Sequence, residues 1–354
     1  MMRSTIYDNP IWIQDIDLIL EHFPEIEDLA GQSVLITGAG GLICSALVDV
    51  LIRYNETHCE NIVIHAAARS GEKLKKRFGE YFNRDYFFFE QYDANSSEFP
   101  MKYQIDYIIH GAGNASPNKI IKEPVETMLS NFAGLYTLLR FSKGANTKRL
   151  LYISSSEVYG QKNDDQPYLE NDYGYIDLLN TRNSYSIGKR SAETLCSAFS
   201  EEYGTETVIV RPGHIYGPTA SITDNRVSSA WTIAAAKGED IVMKSAGTQL
   251  RSYVYCLDCA SAIVKVLLRG ENVHAYNISN PSSVISIREM AEIVAQAGNV
   301  NLRLEIPTEE ERKGFNPMQT SALRSDSLLA LGWRGLFDAR TGFMHTVQII
   351  KAKS

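Results

Sequence analysis

Residues 33–44 read Ser33-Val34-Leu35-Ile36-Thr37-Gly38-Ala39-Gly40-Gly41-Leu42-Ile43-Cys44, and the fold is decided here. A short β-rich apolar run ends in a glycine cluster. A helical pattern follows, with Leu42, Leu47, Val48 and Leu51 on one side. Strand, glycine turn and helix in that order let a backbone approach a pyrophosphate whose charge rests on the helix N-terminus. The spacing is Gly38-x-x-Gly41-x-x-Cys44, and cysteine at the third position is small enough for close helix packing. Gly38, Gly40, Gly41, Leu42 and Ile43 are therefore candidate dinucleotide contacts. On this motif alone, a glycine-rich turn without ligand stays open.

Further along the chain, Ile62–Ile64, Phe87–Tyr92, Tyr107–His110 and Leu150–Ile153 read as buried strands. Glu123–Ser142 reads as a helix with Leu129, Phe132, Leu135 and Leu139 inward. Strand and helix alternate to about Val210, which predicts an α/β chain with a Rossmann-type, doubly wound parallel sheet and helices on both faces. After Arg211-Pro212-Gly213 the rhythm changes. His214–Arg251 is rich in Gly, Ser and Thr with one helix, Val227–Lys237, and Tyr253–Leu268 reads as a strand and helix returning to the sheet. A further helix spans Ile287–Ala297. The expected division is an N-terminal helical extension (1–30), a dinucleotide-binding domain (31–212 and 253–275) and a smaller C-terminal substrate-binding lobe (213–252 and 276–354).

The 354 residues carry a formal charge of -7, and the one short basic run, Lys73 to Arg77, is flanked by Glu72 and Glu80. That argues against a nucleic-acid-binding surface. Asp15, Asp17 and Glu21 interrupt the apolar stretch Asn9–Phe23, which is thus an amphipathic helix and neither a signal peptide nor a membrane span. The five cysteines, Cys44, Cys59, Cys196, Cys256 and Cys259, are odd in number and scattered, as suits a reducing cytoplasm. Cys256-x-x-Cys259 has no second pair or His cluster beside it, so no metal is expected.

The second strand ends Ile64-His65-Ala66-Ala67-Ala68-Arg69, without the acidic residue that holds an NAD ribose. Arg69 either meets the 2′-phosphate of NADP or is a solvated loop residue. Asp93 follows the third strand and either meets the adenine amino group or caps a turn. NAD is the expected cofactor, with NADP left open.

Tyr185-Ser186-Ile187-Gly188-Lys189 places a phenol and an ammonium on one helix face. A nearby positive charge favours phenolate, so Lys189 is expected to lower the Tyr185 pKa and make it a usable base. Chance supplies many such pairs. Ser154-Ser155-Ser156-Glu157-Val158-Tyr159-Gly160, however, follows a strand end that faces the ligand crevice, and Arg211-Pro212-Gly213-His214-Ile215-Tyr216-Gly217-Pro218 follows another apolar run.

Together these residues resemble the extended short-chain dehydrogenase/reductase family, in its nucleotide-sugar epimerase, dehydratase and decarboxylase branch. The likeness runs from about Gly31 through His110-Gly111-Ala112, Asn131 with Gly134, Arg251 to Asp258, Tyr276 to Pro281 and Leu331-Gly332-Trp333. It implies that Tyr185 takes the sugar hydroxyl proton, that Lys189 holds the nicotinamide ribose and that Ser155 bonds the reacting oxygen. It also implies cofactor contacts at Ala94, Ala112 and Asn131, and substrate contacts at Asn114, Arg182, Arg226 and Arg251, with Arg251 on the diphosphate. The partner is then a small-molecule nucleotide sugar, and a homodimer matches the family.

A 4-keto sugar nucleotide has three fates. Epimerisation needs little beyond Tyr185 and Ser155. Loss of water needs an acid for the C6 hydroxyl, and dehydratases of the branch typically carry Asp-Glu where this chain has Ser156-Glu157. Loss of carbon dioxide needs no such acid, because the 4-ketone makes a glucuronate a β-keto acid. Ser-Glu here is similar to UDP-glucuronate decarboxylases, as are Arg182-Asn183-Ser184-Tyr185 and Asp224 to Val227; Ile187 departs from their usual Glu. The order of expectation is decarboxylase, 4-epimerase, 4,6-dehydratase. An NADPH-dependent carbonyl reductase, favoured by Ala66 and Arg69, is the rival from another class.

Overall fold

The computed structural model describes residues 6–96, 98–99, 103–309 and 320–352. In chain order come α1 (Pro10–His22), β1 (Ser33–Thr37), α2 (Leu42–Thr57), β2 (Val63–Ala68), α3 (Gly71–Phe78), β3 (Phe87–Gln91), β4 (Tyr107–His110), α4 (Pro117–Lys122), α5 (Pro124–Ala145) and β5 (Arg149–Ile153). Then follow α6 (Ser184–Tyr203), β6 (Thr207–Pro212), β7 (His214–Tyr216), α7 (Val227–Ala236), β8 (Ile241–Met243), β9 (Leu250–Tyr255), α8 (Cys256–Arg269) and β10 (His274–Ile278). The chain continues through β11 (Val284–Ser286), α9 (Ile287–Gly298), β12 (Leu302–Leu304), β13 (Thr320–Ser321), α10 (Asp326–Ala330) and α11 (Ala339–Lys351).

Seven strands form one parallel sheet in the order β10-β6-β5-β4-β1-β2-β3. Val34, Leu35 and Ile36 are fully buried because helices cover both faces, which is why β1 reads as continuous rather than alternating apolar sequence. Strand order reverses at β1, where β2 leaves on one side and β4 on the other. The carboxyl ends of β1 and β4 therefore flank the crevice in which such sheets take ligands.

A second, smaller sheet pairs β9 with β7, β11 and β13, and β8 pairs with β12. This corrects the reading of Tyr253 as part of a strand returning to the main sheet. Only α8 returns, and β10, expected to begin the lobe at Tyr276, is the edge strand of the large sheet. Gly213 marks the step between sheets: its N–H donates to the Ile278 carbonyl at 3.1 Å, and a Cβ there would fall 2.7 Å from the Ser252 carbonyl oxygen.

Helix α5 also turns a different face inward. Leu135 and Leu139 are buried as expected, but Leu129 and Phe132 are 49% and 42% exposed. The inward stripe is built instead from Thr127, Ser130, Asn131 and Gly134. Small residues let backbones close up: a Cβ on Gly134 would lie 2.8 Å from the Ala94 carbonyl oxygen.

The N-terminal extension is bound into the body. Trp12, Ile16 and Ile19 are fully buried, and the Trp12 indole donates to Asp49 at 2.9 Å. Asp15 accepts from the Tyr255 hydroxyl at 3.0 Å and pairs with His345 on α11 at 3.0 Å, while Arg53 holds Asp17 through two bonds. Cys256 and Cys259 are buried free thiols. Among the described residues, no three His, Cys, Asp or Glu side chains are grouped to hold a metal ion, and no helix is long and apolar enough to cross a membrane.

Candidate active site

The turn after β1 is shaped by Gly38, whose φ of 71° puts it in the left-handed region. A Cβ there would lie 2.9 Å from the Gly111 carbonyl and the Ala112 nitrogen at the end of β4. Gly41 N–H closes the turn on the Gly38 carbonyl at 2.8 Å, and Gly41 caps α2 with no side chain on its first amides. A Cβ on Gly40 would meet nothing within 4 Å, so the turn is open beside these uncapped amides. Cys44 packs its sulfur against Gly111, where a Cβ would fall 2.4 Å away, so the close approach expected of the third motif position is made. Leu42 and Ile43 form the first turn of α2, and Thr219 reaches the Leu42 carbonyl at 2.7 Å.

Gly38→Ala combines a left-handed backbone, costing about 1–2 kcal/mol, with backbone collisions. It is expected to lower the melting temperature and to weaken dinucleotide binding about tenfold or more, by fluorescence titration. Gly40→Ala, whose Cβ meets nothing within 4 Å, should leave the melting temperature unchanged.

Around this cradle stand the other cofactor candidates. Ala112 N–H donates to Thr37 Oγ1 at 3.2 Å. Asn131 is buried, gives its amide to the Thr127 carbonyl at 2.7 Å, and leaves Oδ1 without a partner among the described residues. Asp93 accepts the Asn95 amide at 3.0 Å and so caps a turn. Ala94 packs on Gly134, Asn114 lies half-buried in the loop after β4, and Arg69 is exposed beyond β2.

Tyr185 sits in the first turn of α6, only 7% exposed, hydrogen-bonded to Ser155 beyond β5. Ser155 Oγ also accepts the Glu157 amide at 3.2 Å, and Ser156 begins the short helical turn between them. One oxygen of Glu157 accepts from Ser186 Oγ at 3.2 Å and faces Arg182 at 3.6 Å. Lys189 Nζ donates to the Ile153 carbonyl at 2.7 Å and lies 5.8 Å from the Tyr185 ring. The fold thus brings Ser155, Glu157, Arg182, Tyr185 and Lys189 into one cluster.

Its electrostatics correct one expectation. Tyr185 is pushed up to about 12, first by burial and then by the Glu157 charge, with the Ser155 bond and the Arg226 and Arg182 charges opposing. Lys189 is pushed down to about 7 by its own burial, against the pull of Glu193. In the chain alone, desolvation and the Glu157 charge outweigh the Ser155 bond and the two arginines, and the phenol is held protonated.

On the lobe side, Arg226 grips Asp224 at 2.5 Å, and Arg251 is 4% exposed with one N–H on the Leu250 carbonyl at 2.8 Å. Both act on His214, which burial first and then Arg251 and Arg226 push down to about 3. Its Nδ1 is buried without a partner among the described residues. His214 and Ser186 lie inside the quoted motifs without an assigned role, and Glu193 lies outside them. Glu193 is within reach of one: it follows Lys189 by four residues on the same helix face and accepts from Ser154 at 2.5 Å and Arg211 at 2.6 Å.

A model of the NAD dependent epimerase/dehydratase family matches residues 34–279. The chain belongs to this family. It is 31% identical over 309 residues to UDP-glucuronic acid decarboxylase 3 of Arabidopsis thaliana, covering 87% of this chain and 86% of the relative. Against UDP-glucuronic acid decarboxylase 1 of Xenopus tropicalis it is 27% identical, covering 94% and 76%. The fold is similar to UDP-glucose 4-epimerase of Thermotoga maritima (TM-score 0.76, 21% identity, 90% and 99% covered). It is also similar to dTDP-glucose 4,6-dehydratase of Bacillus anthracis, solved in complex with NAD (TM-score 0.73, 18% identity, 91% and 97% covered).

The residues of this family member fit a dinucleotide. The glycine cradle a Cβ would fill, the uncapped amides of α2 and the orphaned Asn131 oxygen converge on the crevice at the reversal of strand order.

Proposed function

We propose that this chain is a nucleotide-sugar decarboxylase acting on UDP-glucuronate. The observation that carries the reading is Glu157, held by Ser186 and Arg182 beside the Tyr185–Ser155 pair, with Ser156 where an acid for a C6 hydroxyl would stand. Gly38, Gly40, Gly41, Leu42, Ile43, Ala112, Asn131 and Lys189 hold the dinucleotide, which supplies hydride acceptance and return at C4. Tyr185 takes the C4 hydroxyl proton, with Ser155 bonded to the same oxygen. The resulting ketone lies β to the carboxylate, so the C5–C6 bond breaks and carbon dioxide leaves with no leaving-group acid. C5 gains a proton from solvent, Tyr185 returns its own proton to the C4 oxygen, and the cycle is redox-neutral. Residues 213–252 and the chain beyond β10 form the substrate lobe, where Arg226 and Arg251 meet the diphosphate. The five free thiols suit a reducing cytoplasm.

Incubation with UDP-glucuronate, UDP-glucose and dTDP-glucose, followed by mass, tests the reading. Loss of one carbon dioxide from UDP-glucuronate is expected. Loss of water would establish a dehydratase, and an isomer of unchanged mass an epimerase. Glu157→Gln is expected to cut the rate about 10²-fold or more if the carboxylate takes part in proton transfer; a near-normal rate would remove Glu157 from the chemistry.

The chain is further proposed to pair with a second copy through α5. Val125, Met128, Leu129, Phe132 and Tyr136 are each 41–63% exposed and form one apolar stripe at helical spacing. A twofold axis packs such a stripe on itself. Phe132→Glu should convert a dimer to a monomer in light scattering after gel filtration, and an unchanged dimer would place the interface elsewhere.

A further inference from the structure

We propose that Ser154 and Glu193 are positioning residues for the Tyr185–Ser155 pair: the carboxylate clamps the end of β5 onto α6 and so sets how Ser155 meets the tyrosine hydroxyl. The inference rests on the role given to Tyr185 in C4 oxidation, not on which group then leaves. Tyr185, Lys189 and Glu193 follow one another at four-residue spacing, on one face of α6. Three consecutive residues at the end of β5 meet that face. The Ile153 carbonyl accepts from Lys189 Nζ at 2.7 Å, Ser154 Oγ donates to Glu193 at 2.5 Å, and Ser155 bonds Tyr185. Ser154 is thus the link between the lysine's anchor and the tyrosine's partner.

Both members of the clamp are held from a third element. Ser154 is buried, and its N–H donates to the Val210 carbonyl on β6 at 2.8 Å. Arg211, also on β6, grips both carboxylate oxygens of Glu193, at 3.0 and 2.6 Å. With its backbone on β6 and its hydroxyl on a fixed carboxylate, Ser154 leaves its neighbour little freedom to turn away from Tyr185. The ion pair alone would tie α6 to β6; the Ser154 bond extends that tie to the strand end beside the reacting oxygen. The phenol is faced by Glu157 after β5, Arg182 before α6, Arg226 before α7, Tyr152 on β5 and Lys189 on its own helix. Its bond to Ser155 opposes burial and Glu157, so a loosened Ser155 lets the phenol rise further.

Ser154→Ala removes the clamp and keeps the Arg211–Glu193 pair, so the melting temperature should fall by no more than about 4 °C. On whichever of the three nucleotide sugars above the wild type converts, kcat should drop about 10-fold or more with KM within about twofold, because misplacing a reacting group costs turnover rather than binding. The rise of rate with pH should also move to higher pH, a shift that lost stability would not produce. Arg211→Met with Glu193→Leu, which leaves no buried charge unpaired, should fold and lose turnover likewise. A sugar-free arm separates the clamp from the decarboxylase reading. With carbon-13 at tyrosine Cζ, and Tyr185 assigned by the signal absent from Tyr185→Phe, Ser154→Ala should move that signal in the direction that Ser155→Ala moves it. A moved signal in a chain inert toward UDP-glucuronate supports the clamp and counts against the substrate reading alone. An unmoved signal, or wild-type kcat and pH profile in Ser154→Ala, would overturn the proposal.

Discussion

Tyr185→Phe is expected to lower turnover of the nucleotide sugar by about 10²–10⁴-fold, the usual worth of a positioned acid–base group. The ring is buried in the first turn of α6, so the phenylalanine keeps the packing and loses only the hydroxyl bonded to Ser155. In the chain alone that hydroxyl is pushed up to about 12 by burial and Glu157. Phenolate is therefore scarce at neutral pH, and the wild-type rate should climb as pH rises through the neutral range. Steady-state rates beside a circular dichroism spectrum separate lost chemistry from lost fold. A Phe variant of near-normal rate would end the role assigned to Tyr185.

Arg211→Ala should destabilise the fold by about 3–5 kcal/mol, because it strands a buried carboxylate. Arg211 and Glu193 side chains are 3% and 11% exposed and meet at 2.6 Å. The same guanidinium donates to the Tyr159 hydroxyl at 3.0 Å and the Glu170 carbonyl at 2.6 Å, and Glu193 also accepts from Ser154. This knot ties β6 to α6 one turn beyond Lys189. Urea unfolding measures the loss, and the double change Arg211→Met with Glu193→Leu should recover much of it, since no charge is then left unpaired. A loss under about 1 kcal/mol in Arg211→Ala would mean that Glu193 finds water.

What the sequence makes legible is local. β1, the glycine turn and α2 are contiguous, so their pattern and the Cys44 packing can be read from the residues alone. Tyr185 and Lys189 are one helical turn apart and equally plain. β9 and β10 are misassigned from sequence because both are short apolar runs, and pairing across some forty residues or more leaves no periodic trace. Leu129 and Phe132 read as inward because large apolar residues usually are. Close packing of Gly134 on Ala94, beyond β3, turns the small residues inward instead. Ser186 meets Glu157 across 29 residues, and His214 feels the Arg251 charge only because β7 pairs with β9, so neither interaction is written in a motif. Spacing gives the Tyr185 pKa shift the wrong sign because burial, unlike spacing, belongs to the folded chain.

Isotope labelling tests directly whether oxidation at C4 drives loss of the sugar carboxyl. Purified protein is given UDP-glucuronate carrying deuterium at C4 and a labelled carboxyl carbon. Labelled carbon dioxide is expected, with a UDP-pentose that keeps its deuterium at C4, and Tyr185→Phe should form neither. A product that retains the labelled carboxyl, whether an epimer or a dehydrated sugar, would contradict the decarboxylase reading.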